Sequence, residues 1–142
     1  MKVYGFGDVT ASFSHPKVGS KSSTGAGVGS IGVSMAGDKT AHDVGADGEV
    51  MVSKLAGKNG AITIAIQQTS ELHKWLLKWY NYVESAGPLS EFANMTITIA
   101  SKNLGDETVC TGVSPQKIAD RSYQAQGQHV TWNLMAAEIT EK

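Results

Sequence analysis

Hydrophobic period divides this chain into two kinds of segment, and the division constrains its fold more than any single motif. Apolar side chains recur at every second position in most of it: Ile31, Val33 and Met35; Ile62, Ile64 and Ile66; Met95, Ile97 and Ile99; Val130, Trp132 and Leu134. A period of two buries one face of an extended strand. Only over residues 70–86 does the period change. There Leu72, Trp75, Leu76, Trp79, Tyr80 and Val83 follow the i, i+3, i+4, i+7 spacing of one helical stripe. Glu71, His73, Lys74, Lys78, Asn81 and Glu84 fall off that stripe, so His73 is expected on the polar face. Leu77 and Tyr82 also lie away from it and are candidates for contact with a neighbouring subunit. Thr69 or Ser70 can cap the helix, Glu71 suits its positive end, and Gly87-Pro88 stops it.

Turn chemistry cuts the remainder into strands. Residues 2–13 read as a strand and residues 14–27, rich in Gly, Ser and Lys, as a long loop, which in a small domain is usually functional or disordered. Residues 28–36 form a strand, Gly37-Asp38-Lys39 a turn, 40–44 a short extended piece, and Gly45-Ala46-Asp47-Gly48 another turn. Segments 49–56 and 61–67 flank Lys58-Asn59-Gly60; an Asn-Gly pair there predicts a hairpin, because both residues accept positive φ. Strands follow at 92–101 and at 107–113, with Val109, Thr111 and Val113 sharing a face. Residues 115–121 fit a helical turn or a loop, and 123–139 the last strand. Seven or eight strands and one helix predict a mainly β chain, an antiparallel β-sandwich or barrel with one flanking α-helix, in a single domain spanning 1–142 with no repeat or linker.

Composition removes whole function classes. Charged residues make up 18% of the chain, below the usual share of about 25%, and the formal net charge is −1 with Arg121 the only arginine. A sequence-reading nucleic-acid binder would cluster basic residues and favour arginine, so that class is excluded. Cys110 is alone, which leaves no intrachain disulfide and no cysteine metal site. The start, Met1-Lys2-Val3-Tyr4-Gly5, lacks the apolar run of a signal peptide, and no stretch approaches the ~18 apolar residues of a membrane span. A soluble protein made in a cytoplasm is expected.

The motifs that suggest chemistry fail their context. Gly27-Val28-Gly29-Ser30-Ile31-Gly32 spells a dinucleotide fingerprint, but a polar loop precedes it and a period of two follows, where that fold needs a strand and then a helix. Asp43, Asp47 and Glu49 lie close together, yet the middle position of a calcium loop is empty, so a turn with solvated acids is the expectation. His15, His42, His73 and His129 show no ligand spacing, and Ser14-His15 cannot set a base on a nucleophile as direct neighbours. No catalytic, cofactor-binding or metal-binding residue is assigned, no cofactor is implied, and no enzyme is expected.

One stretch carries more than pattern. Gly45-Ala46-Asp47-Gly48-Glu49-Val50-Met51 followed by Leu55-Ala56-Gly57-Lys58-Asn59-Gly60-Ala61-Ile62-Thr63-Ile64 resembles the tail tube proteins of contractile-tailed bacteriophages. Tyr4-Gly5-Phe6-Gly7-Asp8-Val9, Ser30-Ile31-Gly32-Val33-Ser34-Met35 and the closing Val130-Thr131-Trp132-Asn133-Leu134 fit the same order, while 14–27 departs from it. The resemblance implies a tail-tube-like sandwich whose copies join edge to edge in hexameric rings. Such rings stack into a tube that conducts DNA during infection. Implied partners are further copies of the chain, the tail sheath protein, and baseplate and tail terminator proteins, with DNA only transiently in the lumen and no membrane. The implied place is the virion, after synthesis in the bacterial host cytoplasm. A related terminator or baseplate component and a monomeric β-sandwich that binds a ligand remain as alternatives.

Overall fold

The structure is a computed structural model that describes residues 4–23 and 28–142. Among them are nine strands and one α-helix: β1 Val9–His15, β2 Gly19–Ser23, β3 Val28–Met35, β4 Thr40–Val44, β5 Val50–Lys54, β6 Gly60–Gln67, α1 Glu71–Asn81, β7 Met95–Ser101, β8 Asp106–Lys117 and β9 His129–Glu141. Seven strands form one antiparallel sheet in the order β2-β1-β7-β8-β9-β6-β3, and β4 pairs with β5 outside it.

Chain length forces this sheet to curl. Its two edges, β2 and β3, would stand about 29 Å apart if seven strands lay flat at ~4.8 Å spacing. Ser23 ends one edge and Val28 begins the other, and five Cα steps reach at most about 18 Å. The sheet therefore bends into a half-barrel. α1 lies across the open side, touching β2 at one edge and β6 beside the other.

The core fills the space between them. On the concave face β6 presents Ile62, Ile64 and Ile66 against Leu134, Trp132 and Val130 of β9, residue opposite residue, and all six are buried. Ala11 and Phe13 come from β1, Met95 and Ile97 from β7, and Leu72, Leu76, Trp79 and Val83 from the helical segment. Burying one such aliphatic side chain stabilises the fold by about 1.5–3 kcal/mol. Ser70 caps α1, its Oγ accepting the Leu72 N–H at 3.1 Å. The helix ends in a π-turn, Tyr82–Ala86, which closes where the Gly87 N–H donates to the Tyr82 carbonyl at 2.7 Å. The alternation, the helix and the mainly β class are as the sequence leads one to expect.

Several local expectations are corrected. Lys58-Asn59-Gly60 is no hairpin turn. β5 pairs with β4, and β6 pairs with β3 and β9. Gly60 serves instead as a point of close approach, where an added Cβ would stand 2.3 Å from the Ser34 carbonyl oxygen. Residues 14–27 are no single loop: β1 continues to His15 and turns into β2, while 24–27 lie outside the described residues. The segment 2–13 is a strand only from Val9. Phe6–Asp8 is a 3₁₀ turn, and residues 1–3 lie outside the described part. Residues 115–117 extend β8, and the last strand begins at His129 rather than near 123.

Val109, Thr111 and Val113 do not share a buried face. Cys110 and Val113 are the buried pair, because β8 slips register against β7 between Ile97 and Met95. Gly112 takes the left-handed φ of 64° at that bulge, where a Cβ would meet that of Ala137 at 2.7 Å. His73 is not on a polar face either; it is 6% exposed. A curled sheet wraps more of the helix than a flat one, so the buried arc extends past the apolar stripe. For the same reason Leu77 and Tyr82 pack half-buried against the chain's own core.

Candidate assembly surfaces

The most exposed regular structure is an arm. β3 and β6 leave the sheet as a pair, and Met35 opposite Gly60 is followed, after a break, by Thr40 opposite Lys54. The two pairings differ in register by one residue. Across the break the Ala36 N–H donates to the Asn59 carbonyl at 3.0 Å and the Leu55 N–H to the Lys39 carbonyl at 2.9 Å, and the Lys39 ammonium bonds the Gly57 carbonyl. β3-β4-β5-β6 is therefore one long hairpin whose outer half has left the body. Its tip is Gly45–Gly48, where Gly48 has φ 88° and the Asp47 carboxylate accepts the Glu49 N–H at 3.1 Å.

Every residue from 34 to 59 is exposed. One face of the arm carries Val44 opposite Val50 and His42 opposite Val52. These valines are 63%, 47% and 63% exposed, and Met51 on the other face 60%. β-branched residues fit a covered pleated surface, and a lone two-stranded ribbon is marginal in water. β4 and β5 together carry five apolar residues, Ala41, Val44, Val50, Met51 and Val52, all of them exposed.

The sheet adds two unlike edges. β3 carries neither charge nor proline over Val28–Met35, so nothing in it discourages further pairing, whereas β2 places Lys21 at its centre. The sheet face away from α1 is uncharged over most of its width. Ser12 opposes Thr98, Thr63 opposes Asn133 and Gly32, and Ala65 opposes Thr131 and Ser30.

The residues singled out for chemistry are not brought together. His42 lies on the arm and His129 at the exposed start of β9. His15 is buried; its Nδ1 accepts the Lys17 N–H at 3.1 Å and its Nε2 donates to the Glu91 carbonyl at 3.0 Å. His73 Nδ1 accepts the Trp132 indole N–H at 3.1 Å, and burial, reinforced by the Arg121 charge, holds its pKa below the usual histidine value. Tyr82 stacks edge-on against His15 at 5.7 Å and donates to the Glu91 carboxylate at 2.5 Å, a bond that raises its pKa. Cys110 is buried, and desolvation pushes its thiol up to about 11. Among the described residues no three His, Cys, Asp or Glu side chains form a group fit for a metal, and Asp43, Asp47 and Glu49 decorate the exposed tip of the arm. The glycine-rich run at 27–32 leads into β3, not into a helix; Gly27 itself lies outside the described residues. Sequence reasoning found the arm's strands and turn but missed that they stand alone. The available signal was the matched flanks of equal length on either side of Gly45–Gly48.

The fold thus presents a curled antiparallel sheet, one helix across its open side and an exposed two-stranded arm. The chain matches the profile of the bacteriophage PhiTE tail tube protein family over residues 1–142, and it belongs to that phage tail tube family. No curated protein sequence matches it. Its fold is similar to that of solved contractile assemblies. The cap that terminates the tube of the anti-feeding prophage aligns with a TM-score of 0.63 at 12% identity, over 100% of this chain and 92% of that one. The sheath/tube terminator of the extracellular contractile injection system PVC, in its extended state, gives 0.61 at 12% identity, over 100% and 98%. The sheath–tube complex of that system gives 0.60 at 14% identity, over 97% and 90%. No helix among the described residues is long and apolar enough to cross a membrane.

Proposed function

We propose that this chain is the subunit of a phage inner tail tube, a single structural domain without catalytic activity. Six copies close a ring, and rings stack into a tube that conducts DNA and is enclosed by a sheath. The observation that carries this reading is the arm: a ribbon with three exposed valines on one face that none of the described residues covers and that a second copy can cover. Two unlike sheet edges support it. Joining one copy's β2 edge to the next copy's β3 edge is a head-to-tail contact, which gives rings when the rotation closes. Its partners are then other copies, the sheath protein, and the terminator and baseplate proteins that end the tube, within a virion assembled in the host cytoplasm. A terminator role is the second reading, favoured by the likeness to two tube-ending proteins.

Electron microscopy of the purified chain separates the readings. Stacked sixfold rings are expected of a tube subunit and single unstacked rings of a terminator, while the absence of any ring refutes both. Passage of DNA makes a second demand, for weak holding. Fluorescence anisotropy with a labelled duplex should give a Kd no tighter than the ~10⁻⁴–10⁻⁶ M of non-specific binders, with a shallow salt slope. Nanomolar affinity with a steep slope overturns the conduit.

A further inference from the structure

Two tryptophans meet the core with different polar fates. The Trp79 indole N–H is buried without a hydrogen-bond partner, whereas that of Trp132 donates to His73 Nδ1 at 3.1 Å. An Nδ1 that accepts this bond carries no proton, so His73 is neutral with its hydrogen on Nε2. Trp132 comes from β9, and Tyr80, about two helical turns beyond His73, sets its ring edge-on to Trp132 at 6.3 Å. Neither carries charge in acid. The charged group that acts on His73 is Arg121, from the segment between β8 and β9, and it too opposes a second positive charge.

We propose that His73 is a proton-operated latch between α1 and the sheet. A proton on Nδ1 turns the acceptor into a donor and sets two N–H groups against each other in a buried site where the Arg121 charge also disfavours a cation. The bond is then lost, and opening of α1 becomes more frequent. The helix yields before the sheet does, because β6 and β9 are joined by a backbone ladder from Gly60 opposite Ala136 to Gln67 opposite His129, whereas α1 is held to the sheet through side chains. Lifting α1 bares Leu72, Leu76 and Trp79, part of the apolar cover of the half-barrel. The latch is a property of one chain, so it stands or falls separately from ring formation.

The sign follows from linkage. The closed state binds the proton less well than the open one, so closure is favoured above the ordinary histidine pKa of about 6.5 and is progressively lost as pH falls below it. Hydrogen exchange, corrected for intrinsic chemistry and followed from pH 7 to pH 5, reads this directly. Protection at α1 amides should fall by up to tenfold per pH unit below about 6.5, while amides of β6 and β9 keep theirs. In H73Q the glutamine oxygen can still accept the Trp132 N–H but does not titrate, so the pH dependence at α1 should vanish. If that variant does not fold, nitrogen-detected spectra of the wild-type chain decide: His73 Nδ1 should gain its proton in step with a shift of the Trp132 indole signal and with α1 opening. Simultaneous loss of protection in α1, β6 and β9, an unchanged pH dependence in H73Q, or His73 titration without movement of the Trp132 signal each overturns the latch.

Discussion

The two halves of the long hairpin use similar residues to opposite effect. In the inner half, β6 alternates Ile62, Ile64 and Ile66 with Thr63 and Ala65, and its isoleucines are sealed between β3, β9 and α1. In the outer half, Val44, Val50 and Val52 face outward, and none of the described residues covers them. Local strand preference is satisfied in both; the layer that covers the apolar face is present in one and missing in the other. A β-branched pattern therefore specifies a strand, but it does not say whether the chain itself or another copy supplies the cover.

Substitutions across the two halves should break this comparison wherever it is wrong. Ile64→Ala should cost the isolated chain about 2–5 kcal/mol in denaturant unfolding, while Val52→Ala should change it by less than about 0.5 kcal/mol. Equal costs would mean that the arm packs on the body. Thiol labelling gives the next largest contrast. A cysteine placed by Val52→Cys should react at once at pH 8. Buried Cys110, its thiol pushed up to about 11, should react slower by at least on the order of a hundredfold until the chain unfolds.

Within the core, Trp132→Phe and Trp79→Phe remove the same volume but different bonds. The first strands the His73 acceptor and should cost about 1–3 kcal/mol more than the second, which discards an N–H that already lacks a partner. Matching thermal shifts would remove the His73–Trp132 bond from the account of the core. The smallest effect belongs to Lys74→Ala. It deletes an exposed pair with Glu71 at 3.7 Å and should shift stability by under about 0.5 kcal/mol.

What the sequence reveals here follows the reach of each signal. Periodicity acts between near neighbours, so the helix at 71–81 and the buried faces of β6, β7 and β9 are legible in it. Pairing acts at long range. The Asn-Gly at 59–60 carried a strong local hairpin signal, yet the strand partners were decided by cover: β6 gained two neighbours and a helix by pairing with β3 and β9. His73 was misplaced because a helical wheel assumes a flat support, and this sheet curls. The arm's turn and its matched flanks were legible around Gly45–Gly48, but its exposure was not, since that appears only once the rest of the chain has been packed.

Light scattering of the wild-type chain beside Val52→Asp, over a rising concentration series, tests most directly whether another copy covers the arm. The expected result is growth of the wild-type chain to ring mass and beyond, with the variant remaining monomeric at an unchanged melting temperature. Identical masses for the two chains at every concentration, whether both assemble or neither does, would contradict it.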